Sequence, residues 1–90
     1  MAKIYAVKYI PQDKVIYIGQ TIQSGKKRWY DHIRKAKSKI KTDKFHIFLA
    51  EHNETDFEFF TIEDNIETKE ELNQKEKYYI ELYDTYRNGY

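Results

Sequence analysis

The stretch KIYAVKYIPQDKVIYIG, residues 3–19, decides the fold. Over residues 3–10 the side chains alternate: Tyr5, Val7 and Tyr9 share one face, and Ile4, Ala6 and Lys8 share the other. Pro11-Gln12-Asp13-Lys14 is turn material. Val15 to Gly19 is strand-like again, with Val15 and Tyr17 expected on one face. The segment therefore reads as a β-hairpin. Either plausible loop length preserves parity, so Tyr5 and Tyr17 fall on the same face of the sheet. Gly19 marks the end of the second strand, at a bend or a close backbone approach.

Downstream of the hairpin, Ser24 and Gly25 can cap a helix over about 26–40. Its apolar stripe is Trp29, Ile33, Ala36 and Ile40, and Arg28, His32, Lys35 and Lys39 form a ridge beside it. Thr42 or Asp43 can cap a shorter helix carrying Phe45, Phe48, Leu49 and His52. Residues 56–63 alternate as a third strand, with Phe57, Phe59 and Thr61 against Glu58, Phe60 and Ile62. Thr68-Lys69-Glu70-Glu71 matches a capping box, which opens a last helix over about 69–83. The order β-β-α-α-β-α predicts an α+β fold: a small antiparallel three-stranded sheet flanked by helices.

Composition fits one such domain over residues 1–90, and the close at Tyr90 is what a domain cut from a longer chain would show. With 40% hydrophobic and 34% charged residues the chain is expected to fold. No apolar run approaches a membrane span, and no secretory leader opens the sequence, so no membrane association and a cytoplasmic location are the default expectations. The absence of cysteine excludes disulfides, thiolate metal sites and a thiol nucleophile. The net charge of +1 conceals an asymmetry. Residues 1–45 hold twelve Lys/Arg against three Asp, whereas residues 46–90 hold four against twelve Asp/Glu. A basic half on a small domain is a footprint for a polyanion, although an acidic partner helix would explain it as well.

Glu76 is the most informative single residue. It lies among Leu72, Tyr79 and Tyr83 at helical spacing, a carboxylate within an apolar and aromatic stripe. Such a group must pair, neutralise or bind a metal. Arg28 and His32 lie one helical turn apart, and taken alone they read as surface residues. His46 reads as surface and His52 as helix edge, with no function assigned to either. No H-x-x-x-H, C-x-x-C or glycine-rich phosphate loop occurs.

Taken together, these segments resemble the GIY-YIG nuclease family. Lys3-Ile4-Tyr5 and Tyr17-Ile18-Gly19 resemble its paired tripeptides. Gly19-Gln20-Thr21, Arg28-Trp29-Tyr30-Asp31-His32, Glu76-Lys77-Tyr78-Tyr79-Ile80 and Asn88-Gly89-Tyr90 follow in the family's order, and the look is nearest to nuclease domains of phage-type homing endonucleases. Lys3 departs from the pattern by replacing the first glycine, at a position of mainly structural role.

The resemblance implies a DNA endonuclease that cuts one strand per active site and leaves 3′-hydroxyl and 5′-phosphate ends. Glu76 would be the sole protein ligand of one divalent metal, Mg²⁺ or in its place Mn²⁺. Arg28 would face the scissile phosphate. Tyr5 and Tyr17 would surround the attacking water, one of them as general base, with Arg28 and the metal favouring its phenolate. His32 would orient a tyrosine or shuttle its proton, and Asn88 would help hold the site together. Lys35, Lys37, Lys39, Lys41 and Lys44 would track the phosphate backbone. No base-reading element is evident, so specificity would come from another domain or partner, and the chain would act as a monomer or transient dimer. The alternatives are a non-catalytic nucleic-acid-binding module of the same fold and a protein-interaction domain with an acidic contact surface. A carboxylate beside a phosphate argues against a pure binder.

Overall fold

Strand β1 (Ala2–Tyr9) is the centre on which everything else is laid, with β2 (Lys14–Thr21) on one side and β3 (Phe57–Ile66) on the other, both antiparallel. The structure is a computed structural model and describes residues 2–38 and 43–83. Helices α1 (Gly25–Ala36), α2 (Lys44–Glu51) and α3 (Lys69–Leu82) complete the α+β order expected from the sequence. No described helix is long and apolar enough to cross a membrane.

The hairpin turn is a short 3₁₀ segment, Ile10–Gln12, closed by Asp13 in the left-handed region at φ 50°. An aspartate tolerates that backbone, and its carboxylate pairs with Lys8 at 2.5 Å. Register runs Tyr5 opposite Gly19 and Val7 opposite Tyr17, which places Tyr5 and Tyr17 on one face as parity required. Between Val7 and Lys8 the register shifts, so Lys8 faces Val15 and Ile16 is the extra residue. This bulge corrects one expectation: Val15 does not share a face with Tyr17 but packs on the opposite side. Ile16 takes its place beside Tyr5 and Val7.

Both faces of the sheet are covered. Tyr5, Val7, Ile16 and Phe57 pack against Ala36 of α1 and against Phe45 and Leu49 of α2. Ala2, Ile4, Ala6, Ile18 and Ile66 pack against Leu72 of α3, with Tyr79 and Ile80 at the margin. Strand β3 outruns its expected end at Glu63 because register shifts near Ile4 break the two-residue period. Asn65, at φ 59°, absorbs one of these irregularities. The ion pair of Lys75 with Glu63 ties α3 back to β3.

The caps form as the sequence indicates. Ser24 Oγ accepts from Lys27 N at 3.2 Å, Asp43 Oδ2 from His46 N at 3.2 Å, and Thr68 Oγ1 from Glu71 N at 3.1 Å. Helix α1 stops at Ala36, four residues before its expected end, because Lys37 and Ser38 close its last turn with hydrogen bonds to Ile33 and Lys35. Its innermost residues are His32 and Ala36, while Trp29 and Ile33 are only half-buried. Ile40 lies outside the described residues.

Phe45 joins α2 to the sheet. It is fully buried, and its ring stacks on Tyr17 at 4.0 Å and 14°. Phe45→Ala is expected to destabilise the fold by about 3–5 kcal/mol, measured by urea unfolding. A loss below about 1 kcal/mol would mean that α2 is not anchored through this ring.

Candidate active site

The site grows from the Tyr5–Gly19 pair at the middle of the hairpin. Tyr5 is 0% exposed, and the backbone of Gly19 lies directly against the hydroxyl end of its ring. Any Cβ at position 19 would overlap Tyr5 Cζ and Oη, so only glycine lets this phenol lie flat along β2. Strand β2 itself runs on to Thr21, so Gly19 marks close approach rather than the strand end expected.

From Thr21 the chain turns sharply. Thr21 Oγ1 accepts from Gln23 N at 3.0 Å, Ser24 caps the helix, and the first two turns of α1 deliver Arg28 and His32 onto the Tyr5 face. Arg28 Nε donates to Tyr5 Oη at 3.3 Å, and its guanidinium lies 6.0 Å from the Tyr5 ring centre. His32 Nε2 lies 2.7 Å from the same oxygen. These two residues therefore point inward, Arg28 half-buried and His32 only 2% exposed, contrary to their reading as surface groups. The physical reason is satisfaction: both turn their nitrogens to the one hydroxyl buried beneath them.

A second correction concerns His46. It is 6% exposed, not a surface residue, and its Nε2 lies 2.9 Å from His32 Nδ1. Its Nδ1 is hydrogen-bonded to the Asp43 carboxylate, the same group that caps α2. Neither His46 nor Asp43 was singled out by sequence reasoning. The signal was there in the spacing: an N-cap aspartate followed three residues later by a histidine puts ring and carboxylate side by side. His52 is at the helix edge as expected, its Nδ1 donating to Phe48 O at 2.8 Å.

Electrostatics follow from burial. Burial pushes the Tyr5 hydroxyl well above the ordinary tyrosine value, and the charge Tyr17 would carry adds to this, while Arg28 opposes it. Tyr17 is raised too, by burial first, with Arg28 and the neighbouring Tyr5 hydroxyl opposing and the Glu76 and Asp43 carboxylates adding. Arg28 thus acts in the expected direction, toward the phenolate, at both tyrosines, and burial outweighs it. Burial also drives His32 down to about 3, helped by Arg28, His46 and Lys35, so its imidazole is neutral at pH 7.

Glu76 reaches the site from the opposite face. Gln20, on the edge strand β2, donates from Nε2 to Asn73 Oδ1 at 3.1 Å and accepts at Oε1 from Lys69 Nζ at 3.2 Å. This clamp lays α3 along β2, and Glu76 follows Asn73 by one turn on the same side of the helix. Glu76 is half-buried, as are Tyr79 and Ile80 beyond it, and its negative charge is felt at Tyr17. Tyr83, expected to extend that stripe, is 37% exposed.

The lysine ridge is only partly brought together. Lys35 pairs with Asp43 at 3.7 Å and Lys37 with Glu54 at 4.0 Å, both largely exposed. Lys44 is exposed at the start of α2. Lys39, Lys41 and Asn88 lie outside the described residues.

A family model, the GIY-YIG catalytic domain, matches residues 1–90. The chain belongs to the GIY-YIG family. A solved structure, the catalytic domain of the homing endonuclease I-TevI, superposes on it with a TM-score of 0.82 at 21% sequence identity. That alignment covers 100% of this chain and 96% of the other. No curated protein matches the sequence. The structural likeness shows the GIY-YIG fold in full: the three-stranded antiparallel sheet and three helices in the order β-β-α-α-β-α.

The buried neutral His32 has a thermodynamic signature. In the unfolded chain a histidine titrates near 6.5, and in the fold His32 titrates near about 3. Between those values the unfolded state binds the additional proton, so stability rises with pH and is lost on acidification. His32→Gln is expected to flatten the dependence of melting temperature on pH between about 4 and 6.5 relative to wild type, read by circular dichroism. Parallel curves for the two proteins would contradict a buried neutral His32.

Proposed function

We propose that this domain is a metal-dependent DNA endonuclease that hydrolyses one phosphodiester strand per active site. The observation that carries this reading is the convergence, at one buried hydroxyl, of a guanidinium donor and a neutral imidazole: Arg28 Nε at 3.3 Å and His32 Nε2 at 2.7 Å from Tyr5 Oη. Burial alone accounts for one partner at this hydroxyl, whereas a cationic donor together with a neutral imidazole suits an oxygen that passes on its proton and carries charge. A pure DNA binder would gain nothing from the Glu76 carboxylate, whose charge is felt at Tyr17.

The chemistry requires an in-line oxygen nucleophile and compensation of the charge that develops on the phosphate. In the proposed mechanism Tyr5 is the general base. It passes its proton to the neutral Nε2 of His32 as its oxygen withdraws a proton from the attacking water. The water oxygen bonds to phosphorus, the bond from phosphorus to the 3′ oxygen breaks, and that oxygen takes a proton from solvent water, leaving a 3′-hydroxyl and a 5′-phosphate. Arg28 Nε stays with the Tyr5 oxygen and stabilises the phenolate character that appears there, while the Nη end of the fork serves the phosphate. Tyr17, whose hydroxyl is coupled to that of Tyr5, orders the water between them. Burial holds the resting Tyr5 protonated, so it acts as a base only while passing its own proton on to His32.

Glu76 would hold the divalent ion. Among the described residues no group of three or more His, Asp or Glu side chains is placed to cage a metal. A lone half-buried carboxylate fits Mg²⁺, or Mn²⁺, which keep most of their coordination sphere for water and phosphate oxygens. When bound there, the ion supplies compensation for the phosphate's negative charge. Lys35, Lys37 and Lys44, with Lys39 and Lys41, would add salt-sensitive, sequence-independent affinity for the backbone. Surface pairs such as Lys35–Asp43 and Lys37–Glu54 are weak enough for phosphates to displace the carboxylates. Target choice would lie with a further domain or partner.

Supercoiled plasmid nicking is the test. The wild type is expected to convert supercoiled to open circles with Mg²⁺ and not with EDTA. Arg28→Ala is expected to lose about 10²–10³-fold in rate, and Glu76→Ala to lose activity entirely, with both variants folded. Tight DNA binding without nicking would show a binding module, and nicking that persists in Glu76→Ala would place the active site elsewhere.

A further inference from the structure

We propose that Asp43 and His46 are positioning residues: together they hold His32 in the tautomer whose Nε2 can receive the Tyr5 proton. The inference rests on the nuclease reading above and extends it inward, to residues that touch no substrate.

Hydrogen-bond polarity follows along the chain from its fixed end, the Asp43 carboxylate. At one end, Asp43 Oδ2 contacts His46 Nδ1, and a carboxylate accepts only, so His46 Nδ1 carries the proton. A neutral His46 then presents Nε2 as a lone pair. His32 Nδ1, at 2.9 Å, must donate to it. A neutral His32 with its proton on Nδ1 leaves Nε2 bare, and Tyr5 Oη, at 2.7 Å, must donate to that nitrogen. At the other end Arg28 Nε can only donate, and it donates to the same Tyr5 oxygen. With His46 neutral, the Asp43 end sets one direction, with every proton pointing from Tyr5 toward Asp43, and the Arg28 donation at the other end is compatible with it. Had His32 carried its proton on Nε2, His32 Nδ1 and His46 Nε2 would meet as two lone pairs.

The surroundings keep the chain closed. His32 and His46 are 2% and 6% exposed, so water does not compete for their nitrogens. Phe45 packs edge-on against His32 with ring centres 5.1 Å apart, and the two imidazoles lie 5.1 Å apart. Asp43 is the outer end, half-buried and paired with Lys35 at 3.7 Å; burial opposes its charge, but the hydrogen bonds from His46 outweigh this and hold the carboxyl below its usual range, as the acceptor the chain needs. A carboxylate fixing an imidazole tautomer so that the far nitrogen acts as acceptor is a general solution in proton-transfer sites. Here a second imidazole is interposed, because Asp43 belongs to the cap of α2 and cannot itself reach His32.

Asp43 has two roles that must be separated, since it also caps α2 through His46 N. Asp43→Ser keeps a capping oxygen but is too short to hold the His46 ring, whereas Asp43→Asn keeps both the cap and an acceptor oxygen. Two readouts are taken on each protein. Imidazole ¹⁵N–¹H correlation spectra of histidine-labelled protein at pH 7.5 report the tautomers without reference to activity. Single-turnover plasmid nicking with Mg²⁺ reports the rate and, through its dependence on protein concentration, the DNA affinity.

Expected are Nδ1-protonated, Nε2-bare signals for both His32 and His46 in the wild type. Asp43→Ser should lose that pattern at His32 and lose about tenfold or more in rate at unchanged DNA affinity, while remaining folded at the assay temperature. Asp43→Asn should retain the pattern and most of the rate. A wild-type His32 protonated at Nε2, or a His46 protonated on both nitrogens, overturns the proposal, and so does full activity in Asp43→Ser. If the tautomers are as expected but no protein nicks DNA, the relay stands and the nuclease reading fails.

Discussion

A buried phenol hydroxyl must be hydrogen-bonded or it costs the fold about 1–3 kcal/mol, and Tyr5 is wholly buried in the central strand. Much of the domain can be understood from that constraint. Gly19 lacks a side chain where the ring passes, which admits the hydroxyl to the edge of β2. The β2–α1 turn is tight, through Thr21 and Ser24, and this brings Arg28 and His32 over the oxygen within two helical turns. His32, once inside, needs a partner for its second nitrogen, and α2 provides one in His46. His46 in turn needs Asp43. Each polar group taken inside commits the next, until the chain reaches a carboxylate at the surface.

The same chain of needs ties stability to function. Phe45, Tyr17 and Phe59 pack around Tyr5 and His32 and exclude water from them. Exclusion of water raises both tyrosines and lowers His32, which makes the imidazole neutral and the phenol protonated at rest. An exposed phenol would be easier to ionise but harder to orient. In the proposed arrangement the Tyr5 proton has His32 Nε2 as its acceptor before any substrate arrives.

The fold was largely legible in the sequence because the hairpin alternation and the capping residues are local signals. Ser24, Asp43 and Thr68 cap the helices that their positions indicate, and parity alone put Tyr5 and Tyr17 together. What was not legible is non-local. The bulge after Val7 moves Val15 to the other face, and nothing in residues 3–19 announces it. The rotation of α1 that buries His32 in place of Ile33 is set by a tyrosine hydroxyl 27 positions earlier. His46 looked like a solvent-facing residue beside the apolar Phe45, and its burial depends on a partner, His32, on another helix. For Glu76 the sequence showed an acid on an apolar stripe, but its approach to Tyr17 around the edge strand needed the Gln20–Asn73 clamp to be seen.

The central claim is that the buried hydroxyl bonded to His32, and not its more peripheral neighbour, is the base. Single-turnover DNA nicking by Tyr5→Phe and Tyr17→Phe, compared in the same Mg²⁺ buffer with both variants shown to be folded, tests it most directly. The account predicts that Tyr5→Phe loses about 10²–10⁴-fold in rate, the range a positioned base supplies, and that Tyr17→Phe loses clearly less. A Tyr5→Phe protein that cuts at the wild-type rate, or a larger loss in Tyr17→Phe, would contradict it.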